Sequence, residues 1–399
     1  MNSTSTPSAG ATIPRTVWIL GFVSLLMDIS SEMIHGLLPV FMVMVLGASA
    51  TAVGAIEGIA EATALIVKIF SGAISDWLGK RKLLAGIGYG LAALTKPMFA
   101  LASGIGWIFT ARFIDRIGKG IRGAPRDALI ADITPAQLRG AAFGLRQSLD
   151  TIGAFVGPLL AMGLMLLWAN DFRAVFWVAV IPACLSVLLL ALFVREPVRV
   201  AGGTRRFPIS RAALARLPAA YWHVVTIGAA LTLARFSEAF LVLRAQQGGV
   251  ALALLPLVLV VMNVVYAALA YPLGKLGDRL PRERLLMAGI VPLVAADLAL
   301  GYSAHPLWVG IGLVLWGVHM AATQGILAAM VADTAPSDLR GTGFGMFNLV
   351  SGIAMLVASV LAGVLWDTMG AAATFHAGAA FAVAAVFLLL AHRRPRRQD

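Results

Sequence analysis

ADITPAQLRGAAFG at residues 131–144 and ADTAPSDLRGTGFG at residues 332–345 align without a gap. The identical pairs are Ala131/Ala332, Asp132/Asp333, Pro135/Pro336, Leu138/Leu339, Arg139/Arg340, Gly140/Gly341, Phe143/Phe344 and Gly144/Gly345. Segments this alike, one in each half of a 399-residue chain, indicate an internal duplication. A weaker echo, offset by one more residue, sets Gly72 and Asp76 against Gly274 and Asp278. Repeats in the same order and orientation predict two equivalent halves, the arrangement that lets one half rock against the other around a central site.

The rest of the chain says what those halves are made of. Hydrophobic residues make up 60% and charged residues 13%, with mean hydropathy +0.88, where a soluble domain carries roughly a quarter charged residues. The apolar residues fill runs long enough to cross a bilayer rather than amphipathic stripes. Candidate spans run over 16–46, 51–75, 83–103, 106–131, 140–168 and 172–194, then 220–245, 249–274, 284–303, 307–332, 341–366 and 371–391. The expected fold is therefore an all-α membrane protein of about twelve helices in two six-helix bundles, 16–194 and 220–392. A polar tail (1–15), an Arg-rich linker (195–219, with a short surface helix at 210–217) and a basic tail (393–399) complete the chain.

A net charge of +12 invites a nucleic-acid reading, but the bases cluster in alternate connectors. These include Lys80, Arg81 and Lys82, the linker arginines, and Arg393, Arg394, Arg396 and Arg397. The opposite connectors hold little beyond Arg173 and Arg244. That is the positive-inside pattern; it predicts an inner membrane location with both termini cytoplasmic. The expected partners are the lipid bilayer and a small-molecule solute, with no nucleic acid and a monomeric state. Cys184 is the only cysteine, which excludes an intramolecular disulfide and a Cys-based metal site. No phosphate-binding loop or hydrolase triad spacing appears, so neither a built-in ATPase, nor an enzyme, nor a cofactor is expected.

GAISDWLGKRK, Gly72 to Lys82, resembles the loop between helices 2 and 3 of the major facilitator superfamily. Gly72 admits a neighbouring helix, Asp76 caps or pairs across the seam, Gly79 permits a tight turn, and Lys80 to Lys82 meet anionic headgroups. The resemblance implies a conformational latch at Asp76. On helix 5, Gly144, Gly153, Gly157 and Pro158 resemble the antiporter motif of family exporters, implying a bendable helix at the seam between the halves. Arg139 and Arg340, an identical pair inside the repeated segments, count with these conformational motifs. Arg112 fits the basic position of the family's helix-4 motif, associated there with proton coupling. The run Arg112 to Asp132 also resembles a prokaryotic exporter subgroup.

Arg112, Arg116 and Lys119 share one face of helix 4, with Asp115 beside them. Charges this deep are costly and normally face a cavity or a partner. Arg122, Arg126 and Asp127, nearer the helix end, fit an interfacial ion-pair network. Helix 1 carries Asp28, Glu32 and His35 on one face, and helix 2 carries Glu57 and Glu61. At about 1.5 Å per residue and opposite orientation, His35 and Glu57 fall at one depth, as do Asp28 and Glu61. Arg146 and Asp150 on helix 5 are within reach of helix 1 or 4. These acids suit proton exchange; a structural network, or a divalent-metal site of Asp28, Glu32, His35 and Glu61, are the alternatives. In the second half the helix-7 pair Arg235 and Glu238, with His319 and Gln324 on helix 10, are the expected cavity residues, because the family lines its cavity with helices 1, 4, 7 and 10. The expected function is proton-coupled export of a small anionic or zwitterionic solute. A metal or metal-chelate exporter stands as the alternative, and a transporter-fold sensor or intramembrane enzyme as the third reading.

Overall fold

The computed structural model describes residues 12–196, 214–277, 280–336 and 339–392; the side chains at 73, 76, 136, 277, 391 and 392 lie outside that description. In the first half, α1 (Arg15–Val45), α2 (Ala50–Leu78), α3 (Arg81–Ala100), α4 (Ile105–Ile133), α5 (Arg139–Leu167) and α6 (Phe172–Phe193) follow one another. The second half repeats them as α7 (Ala219–Gln247), α8 (Leu257–Gly277), α9 (Arg282–Tyr302), α10 (Pro306–Thr334), α11 (Arg340–Met369) and α12 (Ala371–His392). Among the described residues, ten helices are long and apolar enough to cross a membrane. The other two, α2 and α4, carry Glu57, Glu61 and Lys68, and Arg112, Asp115, Arg116, Lys119 and Arg122.

Local chemistry sets the helix ends. The Ser49 side chain accepts from the Ala52 N–H at 3.1 Å and opens α2; Asp171 does the same for α6 through the Ala174 N–H. Gly79 closes α2 in the left-handed region, φ +64, a position that suits glycine. Two of the expected continuous spans are broken. In α1 the α-helix ends at His35 and resumes at Leu38, passing into a π turn over Phe41–Val45. In α7 it ends at Ala234 and resumes at Ala239. Ser237 stabilises that second break: its N–H donates to Ser359 Oγ on α11 at 3.2 Å, and its Oγ accepts from the Ala239 N–H.

The duplication extends into contacts. Arg81 at the start of α3 pairs with Asp132 at the end of α4, and Arg282 at the start of α9 pairs with Asp333 at the end of α10. Gly88 brings α3 against the α4 backbone, where an added Cβ would lie 2.6 Å from the Gly118 carbonyl. Gly289 brings α9 against Ala322 and Thr323 of α10 in the same way.

The close approaches between the halves run from the α2 N-terminus to mid-helix, where Gly352 of α11 lies on Ala62 and Leu65 of α2. Gly54 and Gly58 of α2 lie on Ser359 and Leu356 of α11, Gly363 lies on Ala50, and Gly36 of α1 lies on Pro256. Asp367 of α11 caps α2 across the seam, accepting from Ala50 N–H at 3.0 Å, Thr51 N–H at 2.8 Å and Thr51 Oγ at 2.6 Å. These ties concentrate toward the α2 N-terminus.

Several expectations on the loop motif change. Gly72 does bring α2 close to Ala124 of α4. Arg81, however, is buried rather than at headgroups: besides Asp132, its guanidinium donates to the Ala128 carbonyl and its backbone N–H to Glu196. Lys82 reaches the Ala191 carbonyl at 2.9 Å, and Lys80 is exposed. The latch assigned to Asp76 lies outside the described side chains, as does its echo Asp278, and the linker helix at 210–217 is described only from 214. Gly153 and Gly157 do not face the other half. An added Cβ would meet the Leu25 and Ile29 carbonyls and the Cβ atoms of Asp28 and Glu32, so both glycines seat α1 on α5 within one bundle. Pro158 is buried in α5 beside them. Arg340 closes α10 by donating to the Ala332 carbonyl at 3.1 Å, while Arg139 is exposed.

Candidate functional site

A central cavity of about 360 Å³ lies between the halves. The first half lines it with Glu32, His35, Glu57, Glu61, Arg116, Lys119 and Ala154. The second half adds Arg235, Phe236, Ser237, Glu238, Leu259, Asn263, Trp316, Met320, Gln324 and Met355. Its polar wall comes from α1, α2 and α4, and the break in α7 presents Arg235 to Glu238 from the other side.

Most charges on the first-half wall are already satisfied. Arg112 Nη2 donates to Glu57 Oε2 at 2.6 Å, and both side chains are buried. His35 bridges the acids, with Nε2 3.9 Å from Glu57 and Nδ1 3.5 Å from Glu32. Arg116 pairs with Glu61 at 3.2 Å and lies 3.9 Å from Asp115. Asp115 in turn accepts from Lys96 Nζ at 3.0 Å; Lys96 is 1% exposed and also donates to Ser31 Oγ. In a medium without water, each pair replaces hydration that either partner alone would lose.

A second cluster joins α4 to α5. Arg146 binds Asp150 at 2.7 Å and approaches Asp127 at 3.8 Å, while Arg126 binds Asp127 at 3.0 Å and approaches Asp150 at 4.0 Å. Arg126 also donates to Ser24 Oγ, which bonds Tyr89 Oη at 2.9 Å, and Arg122 lies over the Tyr89 ring at 5.1 Å. Arg126 and Asp127 form the ion-pair network expected of them, with Arg146 and Asp150 of α5 joining it, whereas Arg122 meets it only through the Tyr89 ring. Asp28, one turn from Asp150 across Gly153, has no hydrogen-bond or ion-pair partner among the described residues.

The cavity gathers most of the expected residues and leaves others behind it. Arg112 and Asp115 stand in the second layer, each consumed by a buried partner, so Arg112 is not a cavity cation. His319 points to α9 instead, its Nδ1 2.7 Å from the Gly289 carbonyl, because its helix face packs on that neighbour. Arg235 and Glu238 both line the cavity but form no ion pair: residues 235–237 are not helical, so the three-residue spacing does not stack them. Asp28 and Glu61 share no contact, since Arg116 captures Glu61. Among the described residues no three His, Cys, Asp or Glu side chains converge on a metal position. Of the four considered, Glu32 and His35 bond each other and Glu61 holds a guanidinium.

Sequence reasoning missed Lys96, Ser31, Tyr89, Trp316 and the capping Asp367. Lys96 carried a signal, a lysine inside the apolar run LAALTKPMFA, where burial demands an acid partner.

Two six-helix halves around a central polar cavity define a membrane transporter fold. The Major Facilitator Superfamily model matches residues 20–354 and 232–399, and the chain belongs to that superfamily. It is 32% identical over 388 residues to the uncharacterized MFS-type transporter MJ1317 of Methanocaldococcus jannaschii, covering 95% of each chain. It is also 29% identical over 176 residues to the multidrug resistance protein MdtH of Photorhabdus laumondii, covering 44% of this chain and 43% of that one. The crystal structure of the nucleoside transporter NupG superposes with a TM-score of 0.75 at 15% identity, covering 95% of this chain and 98% of that one.

Proposed function

We propose that this transporter exports a small organic solute bearing an anionic or zwitterionic group, in exchange for protons. The observation that carries the reading is what remains after the cavity pairs are counted. Glu57, Glu61 and Glu32 are engaged with Arg112, Arg116 and His35. Lys119 and Arg235 have no ion-pair partner among the described residues, and neither has Glu238. Two cations and one anion, contributed by opposite halves, suit a ligand with a carboxylate or phosphate and a nearby amine. A ligand held by Lys119 of α4 and by Arg235 and Glu238 of α7 bridges the halves, so its binding energy differs between conformations, as coupling requires.

The basic connectors, by the positive-inside rule, set the end where α1 begins and α12 finishes in the cytoplasm. Kinship with a multidrug resistance protein supports the export direction. Glu32, bonded only to a histidine on the first-half wall, and Asp28, one turn behind it on α1 and without a fixed partner, are the exchangeable acids.

The test is flux in proteoliposomes loaded with radiolabelled aromatic carboxylates, amino acids or nucleotides, with and without an imposed pH gradient. At least one anionic or zwitterionic solute accumulates against its gradient, and Lys119→Ala and Arg235→Ala each abolish binding of that solute. Movement of neutral or cationic solutes alone, or accumulation indifferent to the pH gradient, refutes the reading.

A further inference from the structure

One buried acid lies outside everything assigned so far. Asp297, in the last third of α9, is fully buried, and neither carboxylate oxygen has a hydrogen-bond partner among the described residues. Its surroundings are apolar. An added Cβ on Gly378 of α12 would lie 2.6 Å from Asp297 Oδ2 and 3.1 Å from the ring of Phe236, so acid and ring converge on one point. Phe236 belongs to the α7 break and also lines the central cavity. Its ring centre sits 5.5 Å from Phe240, 5.7 Å from Trp316 and 5.5 Å from Phe375. Phe236 thus stands next to the carboxyl group and also on the cavity that holds Arg235 and Glu238.

The duplication sharpens the anomaly. Shifted as Arg81 is to Arg282 and Asp132 to Asp333, Lys96 falls on Asp297 and its partner Asp115 falls on Trp316. The first half fills these two positions with a buried ion pair. The second half fills them with an acid and an indole, leaving the acid nothing to pair with. The titratable and charged groups on the elements around it are His319 on α10, His376 on α12, and Arg235, Glu238 and Arg244 on α7. His319 is bonded to Gly289, His376 lies against Gly301, and Arg244 donates to the Leu300 carbonyl. An ionised carboxylate with no donor in such a place is costly, whereas the neutral acid is tolerated.

We propose that Asp297 is a proton-carrying carboxylate of the second half, protonated in the present conformation and opened to the cavity when the α7 break draws Phe236 aside. On opening, the Asp297 O–H gives its proton to cavity water, and the carboxylate left behind gains Arg235 as a counter-ion. Re-closing requires the proton back, because the aromatic pocket offers no donor. Protonation is thereby tied to the position of the α7 break, the segment that also carries solute contacts. Its part in transport rests on the proton-coupled exchange proposed above, whereas its ionisation can be read directly.

The direct reading uses dicyclohexylcarbodiimide, which adds the O–H of a protonated, apolar-sited carboxylic acid across its C=N bond. The full-length protein in liposomes is treated over a range of pH, and the peptide containing Asp297 is quantified by mass spectrometry. Asp297 is expected to be modified in the wild type. In Phe236→Ala, or the milder Phe236→Leu, raising the pH is expected to suppress modification much earlier, because the proton can leave. Absence of modification at Asp297, or modification indifferent to pH in all three proteins, overturns the proposal whether or not a transported solute is in hand. With a solute from the flux panel, Asp297→Asn is expected to lose pH-driven accumulation while retaining solute exchange without a gradient. Wild-type accumulation in Asp297→Asn also overturns it. A wild-type protein that accumulates nothing in response to pH refutes the coupled-exchange reading instead, and the labelling result then stands by itself.

Discussion

The two halves share a frame and differ in charge. At the frame level the correspondence is close: Arg81–Asp132 and Arg282–Asp333 tie equivalent helix ends, and Gly88 and Gly289 seat equivalent helix pairs. In the interior it fails. Arg112, Asp115 and Arg116 in α4 correspond to Leu313, Trp316 and Gly317 in α10, and Lys96 to Asp297. Duplication preserved what packs helices together and left the membrane interior free to diverge. One half now holds a lattice of fixed ion pairs, and the other holds isolated groups. Charges at membrane depth with partners are architecture; those without, namely the buried Asp297, the half-buried Asp28, Arg235 and Glu238, and the exposed Lys119, are where protonation or solute can change something.

That division is broken most severely by the helix-1 acids. Asp28→Asn and Glu32→Gln mimic permanent protonation, so pH-driven accumulation should vanish while exchange without a gradient survives. The measurement is the same proteoliposome flux. Wild-type accumulation in both variants would assign them to architecture and pass the coupling role to Glu61 or Asp150.

Next in size is the contrast between the equivalent pairs. Asp115→Asn leaves the Lys96 ammonium buried without its anion, a loss of about 3–5 kcal/mol. Asp297→Asn removes no partner from anything and should cost within about 1 kcal/mol. Thermal unfolding in detergent reads both, and Lys96→Met combined with Asp115→Leu should recover much of the loss. Equal destabilisation by the two single changes would mean that Asp297 has a partner.

How far the sequence foretold this arrangement depended on the range of the interaction. The duplicated segments, the apolar runs and the alternating basic connectors are local or periodic, and they yielded twelve helices in two bundles. The His35–Glu57 contact also followed, because depth along antiparallel helices is arithmetic. Partner choice did not follow. Arg112 and Arg116 looked alike on one helical face, yet Arg112 turns to Glu57 behind the wall and Arg116 reaches the cavity. Lys96, in a third helix, decides where Asp115 points. The α7 break has no proline or glycine to announce it; the Ser237 contacts that stabilise it include one from α11.

Gly157 and Gly144 give a smaller contrast within one helix. A Cβ at Gly157 would lie 2.7 Å from the Ile29 carbonyl and 2.8 Å from the Glu32 Cβ. Gly157→Ala must therefore push α1 from α5, costing about 1–3 kcal/mol and displacing Glu32 from the cavity wall. Gly144 faces open space, so Gly144→Ala should gain about 0.5–1 kcal/mol from helix propensity. Detergent melts check the signs. A stabilising Gly157→Ala would show that the α1–α5 approach is looser than drawn.

The smallest expected effect concerns the pairs that mark the duplication. Arg81 is 6% exposed and has several acceptors, Asp132 and the Ala128 carbonyl through its side chain and Glu196 through its backbone N–H. Arg282–Asp333 lies in the open, with side chains 34% and 59% exposed. Exposed pairs are screened and typically contribute no more than about 1 kcal/mol, whereas truncating a buried, hydrogen-bonded cation strands its acceptors at about 1–3 kcal/mol. Arg282→Ala should therefore leave the melting temperature almost unchanged, and Arg81→Ala should lower it measurably. Salt sharpens the distinction: raising ionic strength should erase what effect Arg282→Ala has and leave that of Arg81→Ala in place. Equal, salt-sensitive losses at both sites would make the two pairs energetic equivalents, and the first-half pair would lose its status as the buried tie between α3 and α4.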